Sequence, residues 1–310
     1  MPRPNPPPIE NRQSSAATAG TDGQRFTPGC RTIAVQIVGY DTAEGGLLLS
    51  GADGTADAVA NAASDTDHDD AGSDDASDAT TDITYRALDP GSELDYSLVN
   101  RHCAGTIHDD SHIACRNSTA PYCPDHDSTW VCARCTGTCL KDEMDCYDDH
   151  AIYLAAFAPA TFKVGVTREW RLETRLREQG ADLAAHIATV DNGRIARERE
   201  AEIARGIPDR VRVPTKRAGL GRRVDTAAWD DLLADFDPIE RFDFDYGLDL
   251  DSQPVAETVV AGTVRGTKGR LLILDREGST YAVDMRELVG YDVTEGRSSR
   301  ELQSSLGSFE

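Results

Sequence analysis

The sequence predicts an α+β protein in which a zinc-knuckle segment precedes a small β-β-α-β-α domain, with β-rich segments on both flanks. Three observations carry that expectation. Seven of the eight cysteines crowd into residues 103–146. Across residues 151–210, short apolar runs alternate with two charged, helix-like stretches. Alternating apolar residues punctuated by glycine turns recur on both sides, near residues 33–50 and 259–293.

Residues 1–29 hold Pro, Asn, Ser and Gly without periodicity and are expected to form a disordered tail. Residues 30–100 form a β-hairpin segment. Ile33, Val35 and Ile37 alternate with polar or small residues, and Leu47, Leu48 and Leu49 follow the Gly45-Gly46 turn. Within it, residues 51–82 carry ten Asp among Ala, Gly, Ser and Thr, so they repel one another and read as a solvated, disordered insertion. Strand character returns at 83–85 and 96–99.

After the Cys/His segment at 101–150, residues 151–157 and 162–167 read as two strands, the first closed by Ala158-Pro159. Residues 168–179 read as a helix, with Leu172 and Leu176 four apart and Gly180 as its stop. A third strand follows at 184–190. A second helix, rich in Glu and Arg, spans 194–205 between the Asp191-Asn192-Gly193 turn and Gly206. Residues 211–254 form an acidic connector with one helix near 229–236 and then an irregular aromatic stretch. Residues 255–295 are expected to form a small sheet or barrel packed with the N-terminal hairpins, with strands near 271–274, 281–285 and 291–293. Residues 296–310 read as a second disordered tail.

Composition bounds the function. The 310 residues carry a net charge of −22, and 39% are apolar, enough to build cores. No run of about 18 apolar residues exists, and the first ten residues are Pro-rich. Neither a membrane partner nor a secretory signal is therefore expected. Clustered cysteines without an export signal point to metal rather than disulfides and place the protein in the cytoplasm. Arginine supplies 28 of the 32 basic residues, the lysines being Lys141, Lys163, Lys216 and Lys268. A chain rich in Asp and Glu and poor in Lys, Phe and Met resembles the proteins of salt-in halophiles. At molar salt the Debye length is about 3 Å, so the acidity reads as adaptation to the medium and does not repel a polyanion.

The candidate zinc ligands are Cys103, Cys115, Cys123, His126, Cys132, Cys135, Cys139, Cys146 and His150. Three subsets have knuckle spacing: Cys123-x2-His126, Cys132-x2-Cys135 and Cys146-x3-His150. A two- to four-residue separation lets one tight turn present two of the four tetrahedral ligands that zinc takes. Nine candidates overfill two such sites by one, so two structural Zn²⁺ ions and one spectator are expected, with sequential and interleaved pairings both open. The competing readings are buried free cysteines or a redox pair at Cys132 and Cys135. A redox CxxC, however, opens a helix after a strand. Sulfur-rich closed sites leave no position for a catalytic water, so the metal would replace an apolar core. His102, His108 and His112 are left outside the ligand set.

The runs Cys146-x3-His150-Ala151-Ile152-Tyr153-Leu154-Ala155, Lys163-Val164-Gly165-Val166-Thr167-Arg168 and Arg175-x3-Gln179-Gly180-Ala181 resemble an uncharacterised family, domain of unknown function 2797. The likeness covers about residues 103–209 and extends into the β-rich tail. That core in turn resembles the GIY-YIG nuclease fold. The second resemblance places Ala151-Ile152-Tyr153 at the first strand motif and Lys163-Val164-Gly165 at the second. The motif's first Gly is Ala here, and its second Tyr is Lys. It implies Arg175 as the phosphate-binding arginine, with Arg168 and Arg171 as neighbours, and Glu200, with Glu202 second, as the ligand of a Mg²⁺ or Mn²⁺ ion. It also implies DNA or RNA as partner and a divalent-metal-dependent phosphodiesterase activity. The alternative is a non-catalytic, zinc-stabilised nucleic-acid-binding or protein-interaction module.

Phosphodiester hydrolysis needs an activated water and cations for the pentacoordinate oxyanion. Tyr153 could relay a proton if Lys163 or Arg168 stabilised its phenolate, and Gly165 would admit a backbone or phosphate. Each residue also has a plainer role: Tyr153 as an ordinary strand residue, Arg175 paired with Glu178 or Glu169, Glu200 within a salt-laced helix. Between residues 163 and 223 there are 15 basic and 9 acidic residues, a local surplus suited to a polyanion.

Overall fold

The computed structural model describes residues 35–51, 80–108, 110–127 and 147–296. Two sheets organise them, and the first draws on both flanks of the chain. Its N-terminal strands are β1 (Val35–Asp41), β2 (Gly46–Ser50), β3 (Thr80–Ala87), β4 (Glu93–Arg101), β5 (Thr106–His108) and β6 (Ser111–Ile113). Its C-terminal strands are β11 (Val255–Ala256), β12 (Val260–Lys268), β13 (Leu271–Arg276), β14 (Ser279–Asp284) and β15 (Tyr291–Glu295). The order across the sheet is β11-β14-β13-β12-β4-β15-β1-β2-β3-β6-β5.

The hairpin read from Leu47 to Leu49 is present, with Tyr40 opposite Leu47 and Gly45 in the turn at φ 72°. β4 is the hinge between the two flanks. β12 pairs along one of its edges and β15 along the other, both antiparallel. The C-terminal strands therefore do not close a small sheet of their own. The cause lies in the core: Ile37, Leu47 and Leu94 bury against Val260, Leu272, Leu274 and Val283, and neither set alone has a partner for its apolar face. The acidic insertion also ends earlier than residue 82, because Thr80–Asp82 pair with β6. Residues 52–79 and both expected tails lie outside the described residues, except Gly296 at the start of the second tail.

The second sheet is formed by β7 (His150–Phe157), β8 (Thr161–Arg168), β9 (Leu183–Val190) and β10 (Glu240–Asp243), in the order β10-β9-β7-β8. β7 is central, and its run of apolar residues follows from burial on both faces. Ala151, Tyr153, Ala155 and Phe157 meet Leu172, Leu176 and Phe244 on one face. Ile152, Leu154 and Ala156 meet Trp229 and Leu233 on the other.

A 3-10 turn (Glu169–Arg171) leads from β8 into α1 (Leu172–Gln179), which Gly180 ends in the left-handed conformation at φ 68°. The expected helix thus begins three to four residues late. α2 (Gly193–Ile203) is capped by Asn192, whose side-chain oxygen accepts from the Ile195 amide at 2.9 Å. The element order over 150–203 is β-β-α-β-α, as read from the sequence.

The connector holds more structure than expected. α3 (Val213–Ala218) starts at a Pro in its first turn. α4 (Thr226–Leu233) starts ahead of the expected position because Asp225 caps it, accepting from Ala228. β10 turns the aromatic stretch into an edge strand. α5 (Met285–Leu288) joins β14 to β15.

Candidate metal centre and basic surface

Cys103, Cys115, Cys123 and His126 form one cluster, their donor atoms all within 4.8 Å of one another. His126 Nδ1 stands 3.1 Å from Cys123 Sγ and 3.5 Å from Cys103 Sγ. Tetrahedral zinc with Zn–S near 2.3 Å and Zn–N near 2.0 Å places its donors roughly 3.5–3.8 Å apart. The three sulfurs and one nitrogen fit such an ion.

Local chain geometry aims backbone N–H donors at two of the sulfurs. The amides of Gly105 and Cys123 donate to Cys103 Sγ at 3.4 and 3.2 Å, and that of Asn117 donates to Cys115 Sγ at 3.5 Å. Burial works against ionising Cys123, yet donors led by His126 bring its thiol down to about 7. Burial keeps Cys103 up.

The cluster is bolted to the large sheet. Gln36, buried in β1, donates to the carbonyls of Cys103 and Gly290 at 3.3 and 3.1 Å. His102 bridges Asp292 at 3.1 Å and the Cys115 carbonyl at 2.8 Å. His112 is buried between Ser50 Oγ and the Ala104 carbonyl. Two of the histidines omitted from the ligand set are thus structural anchors.

Cys132, Cys135, Cys139 and Cys146 lie outside the described residues. The structure accordingly supports one four-ligand site for a metal ion such as zinc, and the expected second zinc is not shown. His150 stands apart from the cluster, its Nδ1 donating to the Asp148 carbonyl at 2.6 Å.

Two of the residues proposed for phosphodiester chemistry, Tyr153 and Lys163, meet at Gln179. Its Nε2 donates to Tyr153 Oη at 2.5 Å, and its Oε1 accepts from Lys163 Nζ at 3.1 Å. Arg175 and Glu200 both act electrostatically on Tyr153 and Lys163. Glu200 accepts from Arg197 at 2.6 Å, and Arg175 meets Glu178 at 2.9 Å.

Arg168 does not join this group. It lies at the other end of β8, roughly 16 Å along the strand from Lys163, and meets Asp148 at 3.4 Å. Burial raises the Tyr153 phenol above its usual value in spite of the Gln179 bond, so the expected phenolate is opposed. Burial also pushes the Lys163 amine down to about 8, with Glu200 partly offsetting it. Gly165 has a packing reason: a Cβ there would stand 2.5 Å from the Tyr153 ring on the paired strand. It makes room for that ring, not for a phosphate.

The basic surplus proves to be narrower than 163–223. On the helices arginines are matched by carboxylates, as in Arg177–Glu173, Arg194–Glu198, Arg197–Glu200 and Arg199–Glu202. Residues 163–204 hold eight cations and eight acids, so the whole surplus falls in 205–223, where seven cations face Asp209 alone. The connector expected to be acidic therefore begins strongly basic. The signal for this was present in the order of residues and was averaged away by a wide window. Gln179 and Lys216 also carried no assigned role, although lysine is rare in this chain and two of its four lysines bond to Gln179.

Residues 115–293 match a family described as "Protein of unknown function (DUF2797)". No curated protein and no solved structure matches the chain, so the likeness to the GIY-YIG fold has no support from that quarter.

Proposed function

The chain belongs to the family described as protein of unknown function (DUF2797), and from that premise we propose that it is a zinc-stabilised nucleic-acid-binding protein. The arginine run that follows α2 carries this reading. Arg205, Arg212, Arg222 and Arg223 are exposed and have no carboxylate partner among the described residues. Cations without a carboxylate partner can neutralise phosphates and release the counterions condensed on a nucleic acid, and each such contact adds to the salt dependence of binding. The Cys3His cluster supports the fold as a closed, sulfur-rich site and leaves the ligand to the arginines.

The test is fluorescence anisotropy with single-stranded and duplex DNA and RNA over a range of salt. Binding should weaken with salt, and the slope should shrink by about one for each of Arg212→Ser, Arg222→Ser and Arg223→Ser. Unchanged binding in the triple variant, or no binding at the lowest salt, overturns the reading.

A second reading, a divalent-metal phosphodiesterase, is favoured by the meeting of Tyr153 and Lys163 at Gln179 within electrostatic reach of Arg175 and Glu200. In it the half-exposed Arg175 clamps the phosphate and Lys163 stabilises the developing charge. Glu200 would exchange Arg197 for a hydrated Mg²⁺ or Mn²⁺ ion. One carboxylate already bonded to an arginine is a thin donor set, and the buried Tyr153 is poorly placed to pass a proton to water, which keeps this reading second. Strand cleavage with either ion should fall at least about a hundredfold in Arg175→Ala and Glu200→Gln. Equal cleavage by all three proteins removes it.

A further inference from the structure

A cavity of about 850 Å³ opens among α1, α3 and the turn from β12 to β13. That volume lies in the range of small-molecule sites, about 300–1,000 Å³. Cations enter it from different elements: Arg175 on α1, Lys216 and Arg217 on α3, Arg270 at the β12–β13 turn and Arg286 on α5. The lining carboxylates are already engaged. Glu178 takes Arg171 and Arg175 at 2.8 and 2.9 Å, Asp284 takes Arg270 Nη2 at 2.7 Å, and Glu287 reaches Arg101 at 3.4 Å.

Two details mark a missing acceptor. Lys216 is mostly buried, with Nζ 4.7 Å from the Phe157 ring centre and donating to the Gln179 carbonyl at 2.7 Å. It has no carboxylate partner among the described residues, while Lys163, Arg270, Arg175 and Lys268 all repel its charge. Arg270 Nε is buried with no hydrogen-bond acceptor. Gathering like charges around a partly buried amine is unfavourable unless a counter-charge joins them. The lining also includes Tyr40 and Val213, an aromatic ring and an aliphatic side chain.

We propose that this cavity binds a nucleotide-type polyphosphate, a small molecule carrying two or more linked phosphoryl groups on an aromatic base. Cations on separate walls call for an anion with charge at more than one point, and guanidinium forks suit phosphoryl oxygens. The Tyr40 ring and the Val213 side chain receive the base. The site goes beyond the nucleic-acid reading and does not depend on it.

The experiment is calorimetric titration of the full-length, zinc-loaded protein with ATP, tripolyphosphate, AMP and sulfate at matched ionic strength. ATP should saturate one site, at least tenfold more tightly than AMP or sulfate. Lys216→Met and Arg286→Gln should each weaken ATP by tenfold or more. Arg194→Ser, which removes an exposed cation of α2 outside the cavity, should leave it unchanged. Arg286 is exposed, so its variant keeps the test decisive if Lys216→Met does not fold. Absence of saturable ATP binding, sulfate binding as tightly as ATP, or unaltered affinity in the cavity variants overturns the proposal. Binding of ATP with no binding of oligonucleotides upholds this site and removes the nucleic-acid reading alone. The reverse removes this site alone.

Discussion

Lys216 implies that stability rises with pH across the neutral to alkaline range, well above the window in which carboxylates act. Its amine is held away from water above Phe157, and burial pushes it down to about 7, with Lys163, Arg270, Arg175 and Lys268 adding to the effect. In the unfolded chain the same amine titrates near 10.5. Between these values the unfolded chain holds the extra proton, so stability rises with pH from about 7 to about 10.5, and the destabilisation is fully present below 7. The whole separation corresponds to about 5 kcal/mol at about 1.4 kcal/mol per tenfold. About 2 kcal/mol of it falls between pH 7 and 9, and partial solvent access halves that to about 1 kcal/mol, or about 2–4 °C in Tm for a protein of this size.

Lys216→Met keeps an apolar stem over Phe157 and removes the charge. Thermal unfolding of both proteins at pH 7, 8 and 9, in dilute chloride free of phosphate, gives the comparison. The variant should be the more stable at pH 7, and its advantage should shrink by about 1 kcal/mol by pH 9. Titration of the cysteines cancels in that difference. A constant offset between the two proteins across the range refutes the picture of an uncompensated buried amine.

Metal analysis should show one zinc fewer per chain in Cys123→Ala or His126→Ala than in the parent protein, and chelation should make Cys103, Cys115 and Cys123 reactive to a thiol reagent; zinc content unchanged by either substitution dissolves the cluster as a metal site. Gly165→Ala should lose about 2 kcal/mol in denaturant unfolding, because its Cβ would overlap the Tyr153 ring at 2.5 Å. Adding Tyr153→Leu should recover part of that loss. Leu176→Ala, at a fully buried position of α1, should lose about 3 kcal/mol.

Where local pattern and burial coincide, the sequence was readable. Leu172, Leu176 and Gly180 placed α1 to within one turn, and the apolar run from Ala151 marked a strand buried on both faces. The knuckle spacing of Cys123 and His126 found half of the metal cluster, but Cys103 and Cys115 have no short-range partner and could be grouped with them only in space. β10 escaped because Glu240–Asp243 is exposed, and an edge strand needs no hydrophobic alternation when one neighbour supplies its hydrogen bonds. The joining of the two flanks through β4 was equally hidden, since strand partners about 165 to 200 residues apart leave no periodic trace. The role of Gly165 was misread for a related reason: the ring it accommodates is twelve residues away along the chain and directly opposite on the neighbouring strand.

Because β4 receives both of its neighbours from residues 260–268 and 291–295, a nascent chain emerging from the ribosome carries two open strand edges until nearly everything has been synthesised. During that interval the N-terminal hairpins are a template for pairing with other chains. Contacts of such long sequence separation also close slowly. Capture of a metal ion by ligands that end at His126 can happen much earlier, and would hold the end of β4 in register while it waits. A chain stopped before β12 should therefore be recovered as aggregate even when its cysteines are fully loaded.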